Sequence, residues 1–262
     1  MTEPSFRIRP AISWPGGKSR LLPRIMPRIP KHTAYVEPFA GGLAVLLAKA
    51  RSPVEVVNDK NGDLVCFYRC VRFHAEPLLI ELEFVLNSRE EFYDFIDQPG
   101  LTDIQRAARW FFRNKTCFGG SDSTSFGISA VSGGAGMGSR RSRMEAIRQL
   151  SVRLDRVCIE HLDWTEVLSR YDRAGTFFFL DPPYTGCDAG AYKAWTIADV
   201  LQLRERLRGL KGRWLITLND HPDIRRIFSG CRLTAVERAR GINNRADSAK
   251  ARRYRELIIE PG

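Results

Sequence analysis

Thr176-Phe177-Phe178-Phe179-Leu180-Asp181-Pro182-Pro183-Tyr184 joins an apolar run directly to an acidic turn. A run this short and this apolar, with no period-two alternation, is the pattern of a strand buried on both faces, as in a parallel sheet covered by helices. Such a strand delivers Asp181 to the sheet edge. Pro182 and Pro183 then fix φ and hold each preceding residue extended, so the turn is stiff and its carbonyls project outward. Asp-Pro-Pro also makes ordinary surface turns. A surface turn, however, accounts for neither the apolar strand before it nor the ring of Tyr184 after it.

Working outward, the segments Ala34 to Glu37, Val54 to Asn58, Arg213 to Leu218 and Glu256 to Ile259 read as further buried strands, with helical patterns between them. This alternation predicts an α/β fold with a mostly parallel sheet covered on both faces. Ligands of such sheets bind beyond the carboxyl ends of the strands. The residues there are Glu37, Asp59, Asp163, Asp181 and Asn219, of which four are carboxylates.

Ala34-Tyr-Val-Glu-Pro-Phe-Ala-Gly-Gly42 is a strand running into a glycine loop and then a helix over Leu43 to Ala50, and Gly41 and Gly42 let a ligand approach the backbone. The full GxGxxG is missing, which disfavours a dinucleotide. Asp59 ends the next strand, roughly 20 residues on, where an acidic side chain takes ribose hydroxyls in nucleoside-binding α/β folds. Ile12-Ser-Trp-Pro-Gly-Gly-Lys-Ser19 contains Gly-Lys-Ser, but Ile12 stands where a phosphate-binding loop needs its first glycine, so a nucleotide triphosphatase is rejected. Trp14 is instead expected to cover a ligand and Lys18 to neutralise a carboxylate.

The acidic turn suits a particular chemistry. The exocyclic amine of adenine is a poor nucleophile because its lone pair is delocalised into the ring. Two acceptors aimed at its N–H bonds favour the pyramidal nitrogen of the transition state. Asp181 offers a carboxylate, Pro182 a main-chain carbonyl and Tyr184 a flat face for a base taken out of a helix.

Lys and Arg outnumber Asp and Glu by 41 to 30 in the 262 residues, a formal charge of +11 that fits an extended anionic partner, nucleic acid above all. No apolar run approaches the roughly 20 residues of a membrane-spanning helix, and no secretory pattern opens the chain, so a cytoplasmic protein is expected. The 6 cysteines form no CxxC pair and read as reduced thiols rather than disulfides or a metal site, with Cys66 and Cys70 one helical turn apart in a core helix. Between about Arg72 and Leu150 the strand-helix alternation lapses into helices and a Gly- and Ser-rich stretch from Gly119 to Ser139, which reads as an insertion. Arg140, Arg141, Arg143 and Arg148 on the following helix are candidates for phosphate contact, as are Arg238, Arg240, Arg245, Lys250, Arg252, Arg253 and Arg255. His32, His74 and His221 show no ligand spacing, and Trp195 either closes over a base or anchors the next helix.

Taken together and in this order, Trp-x-Gly-Gly-Lys, Glu-Pro-Phe-x-Gly-Gly and Asp-Pro-Pro-Tyr resemble the Dam-like (D12 class) DNA adenine N6-methyltransferases over most of the chain. The resemblance implies a Rossmann-like S-adenosylmethionine-dependent methyltransferase fold with a small helical DNA-recognition insertion, the catalytic domain being residues 1–73 and 151–262 and the insertion 74–150. It implies Asp181, Pro182, Pro183 and Tyr184 as catalytic. It implies S-adenosylmethionine held by Trp14, Gly17, Lys18, the Glu37-Pro38-Phe39 turn, Gly41, Gly42, Asp59, Asp163, Trp164 and Asp181, with Asp163 on the cofactor's adenine. It implies double-stranded DNA held by Lys115, Arg140, Arg141, Arg143, Asn243 and Arg245, where Arg109 to Gly119 opens the recognition region, and Leu218 to His221 and Gly241 to Asn244 are later sheet-edge loops. A monomer or weak dimer without metal is expected, with any cognate restriction endonuclease a separate protein and GATC the family's suggestion for the target. On the residues alone, another amine (cytosine N4, RNA adenine or protein glutamine) or a DNA-binding relative without catalysis remains open.

Overall fold

The computed structural model of the chain describes residues 8–117, 125–129, 134–135, 139–185, 195–238 and 254–262. In chain order the elements are α1 (Leu22–Ile25), β1 (Ala34–Glu37), α2 (Ala44–Ala48), β2 (Val54–Asn58), α3 (Gly62–Phe73), α4 (Ala75–Phe84), α5 (Arg89–Asp97) and α6 (Asp103–Thr116). They continue with β3 (Ile128–Ser129), β4 (Gly134–Ala135), α7 (Arg140–Leu154), β5 (Val157–Glu160), α8 (Trp164–Tyr171), β6 (Thr176–Leu180) and α9 (Ile197–Arg208). The last are β7 (Arg213–Asn219), α10 (Pro222–Ile227), β8 (Arg232–Arg238) and β9 (Tyr254–Glu260).

Seven strands form one sheet in the order β5-β2-β1-β6-β7-β9-β8. The first five are mutually parallel, and β9 runs antiparallel to both β7 and β8. The apolar runs of the sequence are explained by cover on both faces. Alternate residues of the strands split between two cores: Tyr35, Val57, Phe177, Phe179 and Leu215 pack with helical residues such as Leu46, Phe67, Phe111 and Leu154. Val36, Val56, Phe178, Leu180 and Ile216 pack with Val167, Leu203 and Ile224 on the other face. All five residues of β6 are buried for this reason.

Two strands of the sheet escape sequence reading. Val157–Glu160 alternates with Cys158 exposed, and Arg232–Arg238 is the sheet's outer strand, where charged residues guard an open edge and blur the apolar pattern. The helix expected over Leu43 to Ala50 is shorter, because Leu43 adopts a left-handed φ of 57° and Lys49 is extended. Side chains from the helical stretch between β2 and β5 enter the first core: Leu78 and Leu79 of α4, Ala107 and Phe111 of α6, and Ile147 and Leu150 of α7. Phe67 of α3 stacks on Phe111 at 5.3 Å, and Phe92, Phe112 and Phe126 make a small satellite cluster. Cys66 and Cys70 are buried here, each thiol 3.4 Å from the Asp103 carbonyl. Within the Gly- and Ser-rich segment, β3 pairs with β4 as a short antiparallel hairpin. Among the described residues no helix is long and apolar enough to cross a membrane.

Candidate active site

The chain runs from β1 to β2 and β5 on one side of the sheet, then returns to β6 and β7 on the other. Connections therefore diverge between β1 and β6, the point where open α/β sheets hold their ligands. Glu37 ends β1 and Asp181 follows β6, so two of the four expected carboxylates meet at this crevice.

Asp181 is held by one oxygen. Its Oδ1 lies 2.7 Å from the Lys18 ammonium and accepts from the Thr217 hydroxyl at 2.8 Å, which leaves Oδ2 on a carboxylate about one-fifth exposed. Lys18 is buried, donates also to the Gly16 carbonyl at 2.6 Å and lies 5.0 Å from the Tyr184 ring centre. From sequence, Lys18 is expected on a ligand's carboxylate; its partner here is Asp181. Thr217, in the middle of β7, is invisible to motif reading because only strand pairing brings it beside β6.

The glycine loop is fixed from several sides. Gly41 N–H donates to Asp59 Oδ2 at 3.0 Å, and Asp59 Oδ1 accepts from Asn61 N–H at 2.9 Å. The Tyr68 hydroxyl, which burial keeps protonated, donates to the Gly41 carbonyl at 2.6 Å. Asn58 bridges two loops, donating to the Pro38 and Leu162 carbonyls and accepting from Leu162 N–H. Trp14 lies on this loop: a Cβ at Gly41 would come within 2.7 Å of Trp14 Nε1, and one at Gly42 within 3.3 Å of Trp14 Cβ. Gly17 N–H closes a turn on the Trp14 carbonyl, and Asn114 of α6 clasps Ser13, accepting from its N–H at 2.9 Å and donating to its carbonyl at 2.8 Å.

Beyond Pro38 lies a cavity of about 270 Å³, lined among others by Phe39, Lys60, Asp163, Trp164, Pro183 and Trp195. The rings of Phe39, Trp164 and Trp195 pack mutually within 6.2 Å, so Trp195 belongs to this wall. Asp163 caps α8: its Oδ1 accepts from Thr165 N–H and hydroxyl, and Oδ2 faces Lys60 at 3.5 Å. Burial pushes the Asp163 carboxyl up, but the Thr165 bonds and Lys60 outweigh it and hold it below the usual range. A second cavity, about 440 Å³, is lined by Arg9, Ile12, Trp14, Gly17, Leu22 and Gly42 among others.

Glu37 is almost fully buried. Its Oε1 accepts from the Tyr35 hydroxyl at 2.5 Å and from Leu46 N–H at 2.9 Å. Burial nevertheless raises its carboxyl to about 7, with Asp181 pushing the same way against Tyr35, Leu46 and Lys49. The folded protein thus keeps a proton that the unfolded chain releases from about 4.5 upward. Stability is lost as pH rises from about 4.5 to 7 and stays reduced above that, by on the order of 3 kcal/mol. Glu37→Gln is expected to flatten the fall in urea-denaturation stability across this window; a wild-type slope in the variant would mean that Glu37 titrates normally.

Of the expected DNA contacts, Arg140 and Arg141 are exposed at the start of α7, whose N-cap is Ser139, and Arg140 pairs with Glu83 at 2.5 Å. Burial and then Arg143 lower the Lys115 pKa, while burial and then Arg140 lower that of Arg143, so the end of α6 and the first turn of α7 gather cations at one place. Arg148 faces Glu76 at 3.6 Å and Arg255 pairs with Glu237 at 3.0 Å. Asn243 and Arg245 lie outside the described residues, as do Arg240, Lys250, Arg252 and Arg253. His32 bonds the Pro30 carbonyl and Ser52, and His161 the Lys60 carbonyl.

Residues 14–242 match the model of the D12 class N6 adenine-specific DNA methyltransferase. A type II methyltransferase of Methanocaldococcus jannaschii, M.MjaIII, is 28% identical over 97% of this chain and 99% of its own length. M1.LlaDCHI, a type II methyltransferase of Lactococcus lactis subsp. cremoris, is 26% identical over 97% of this chain and 95% of its own. A DNA N-6-adenine-methyltransferase of Escherichia phage P1 is 26% identical over 92% of this chain, which spans 34% of that longer protein.

Proposed function

The chain belongs to the D12 class N6 adenine-specific DNA methyltransferase family, and we propose that it draws the methyl group from S-adenosylmethionine and delivers it to N6 of an adenine turned out of duplex DNA. The observation that carries this is the anchoring of Asp181 at the switch point: Oδ1 is committed to Lys18 and Thr217, which leaves Oδ2 to accept from a ligand.

S-adenosylmethionine supplies a methyl carbon made electrophilic by its sulfonium. Two features favour this donor: an aromatic-walled cavity lined by Asp163, whose Oδ2 faces only the exposed ammonium of Lys60 at 3.5 Å, suits an adenine, and a glycine loop that a Cβ would fill suits close approach of the methionine end. Phe39, Trp164 and Trp195 would hold the base, Asp59 the ribose, and Glu37, Gly41, Gly42, Gly17 and Trp14 the remainder. At the reacting end Asp181 Oδ2 accepts one N6–H and the Pro182 carbonyl the other, while Pro183 stiffens the turn and Tyr184 faces the extruded ring. Pyramidal N6 then points its lone pair away from both acceptors, and its proton is lost after transfer. Burial of Lys18 keeps the acceptor's position from drifting, since an ammonium held by two oxygens is expensive to displace.

In this reading residues 1–73 and 151–262 carry the chemistry and residues 74–150 read the target, as a monomer or weak dimer in the cytoplasm, without metal. Lys115, Arg140, Arg141 and Arg143 contact phosphates, with Asn243 and Arg245, which lie outside the described residues, adding further contacts. Each phosphate neutralised steepens the salt dependence of DNA binding. Replacing Arg141 and Arg143 by Gln is expected to weaken DNA binding and to lower the slope of log affinity against log salt by about 2. A slope equal to that of the wild type would return these arginines to a solvated helix face. The donor assignment itself is tested by calorimetric titration with S-adenosylmethionine, where saturable binding is expected and its absence would overturn it.

A further inference from the structure

A row of buried polar and charged groups leads from the last turn of α7 to the glycine loop, and of its members only Glu37 has a part in the donor site described above. Arg153 forks onto Glu55 of β2, at 2.5 and 2.9 Å, and donates to the Leu46 carbonyl at 2.9 Å. Glu55 also accepts from the Lys49 ammonium at 2.5 Å and from Ser52 N–H at 3.0 Å. Lys49 lies 4.3 Å from the centre of the Tyr35 ring, whose hydroxyl bonds Glu37. All five side chains are buried.

The geometry converges on one peptide segment. Leu46 lies in a five-residue helix whose last carbonyls have no helical partner. Arg153 caps the Leu46 carbonyl from more than 100 positions along the chain, and Glu37 accepts from the Leu46 N–H. Leu46 is therefore gripped at both polar groups, three residues after Leu43, whose left-handed backbone needs outside restraint. Two buried cations on one carboxylate are not required for stability, because well-packed apolar side chains of similar volume serve equally well. What they add is a fixed geometry with a bidentate fork.

Resting on the donor site described above, we propose that Arg153, through Glu55, Lys49 and Tyr35, is a positioning residue that holds the Gly41–Gly42 loop and Glu37 in the conformation that binds S-adenosylmethionine. The charged row makes donor affinity depend on the seating of α7, the helix whose first turn carries Arg140, Arg141 and Arg143.

The test compares the full chain with Arg153→Met paired with Glu55→Gln, which removes one buried charge of each sign, with Arg153→Lys, and with Tyr35→Phe, each well below its melting temperature. The expected result is that the double variant binds S-adenosylmethionine about tenfold more weakly and shows a matching rise in donor KM. KM for DNA and turnover at saturating donor should stay within about twofold, Arg153→Lys should recover part of the loss, and Tyr35→Phe should weaken the donor in the same direction. A lower melting temperature with wild-type donor affinity in both the double variant and Tyr35→Phe would overturn the proposal and leave the network a mere filler. If the wild type itself failed to bind S-adenosylmethionine, the donor reading would fall and this inference with it, a result told apart by its independence of the substitutions.

Discussion

Asp181→Ala should lower the rate of methyl transfer by about a thousandfold or more while DNA affinity stays within about twofold, because the carboxylate acts on the reacting amine rather than on bound phosphates. The magnitude follows from its position. An acceptor aimed at a developing charge in a site shielded from water contributes more than one in solution, and loss of a single such group costs about 100- to 1000-fold. Alanine also leaves the buried Lys18 ammonium without its anion, adding disorder to the neighbouring turn. Asp181→Asn separates the two effects. Its amide oxygen can still take the Lys18 and Thr217 bonds, but the charge that favours pyramidal nitrogen is gone, so a rate close to that of the alanine variant is expected. Single-turnover kinetics with donor and DNA saturating provide the measurement, and near-normal turnover in either variant would show that Asp181 has another role.

Gly41→Ala should weaken S-adenosylmethionine binding by about a hundredfold, equivalent to about 3 kcal/mol. Two costs add. The residue stands at φ 44°, where an L side chain is strained, and its Cβ would meet the Trp14 indole at 2.7 Å. The loop cannot retreat, because Asp59 holds its N–H and Tyr68 its carbonyl. Trp14 must move, and with it the wall of both the loop and the 440 Å³ cavity. Calorimetric affinities within threefold of each other for variant and wild type would show that the indole yields freely and that its contact with the loop is incidental.

The parts of this site legible in the sequence are those written locally. An apolar run ending in an acid marks a strand and its edge at once, so Glu37, Asp59 and Asp181 can be selected without coordinates, whereas Asp163 follows β5, the strand whose exposed Cys158 breaks that pattern. Glycines beside them announce close approach, although not what approaches: the neighbour of Gly41 is Trp14, from the other quoted motif. What could not be read is pairing across the sheet. Lys18 meets Asp181 and Arg153 meets Glu55 only because the strand order juxtaposes β1, β2 and β6 and lays α7 over them. A lysine after two glycines and an arginine late in a basic helix carry no mark of those partners. Trp195 stayed ambiguous for a similar reason, since its ring stands against Phe39 and Trp164, both distant in sequence. The outer strand β8 was missed because Arg232, Thr234 and Glu237 interrupt the apolar signal on which strand reading depends.

The most direct measurement incubates the full chain with methyl-labelled S-adenosylmethionine and unmethylated duplex DNA, digests the DNA to nucleosides and identifies the labelled base by mass spectrometry. Label on N6-methyldeoxyadenosine, absent when Asp181→Ala replaces the wild type, is the predicted result; label on cytosine, or DNA left unmodified by the wild type, would contradict it.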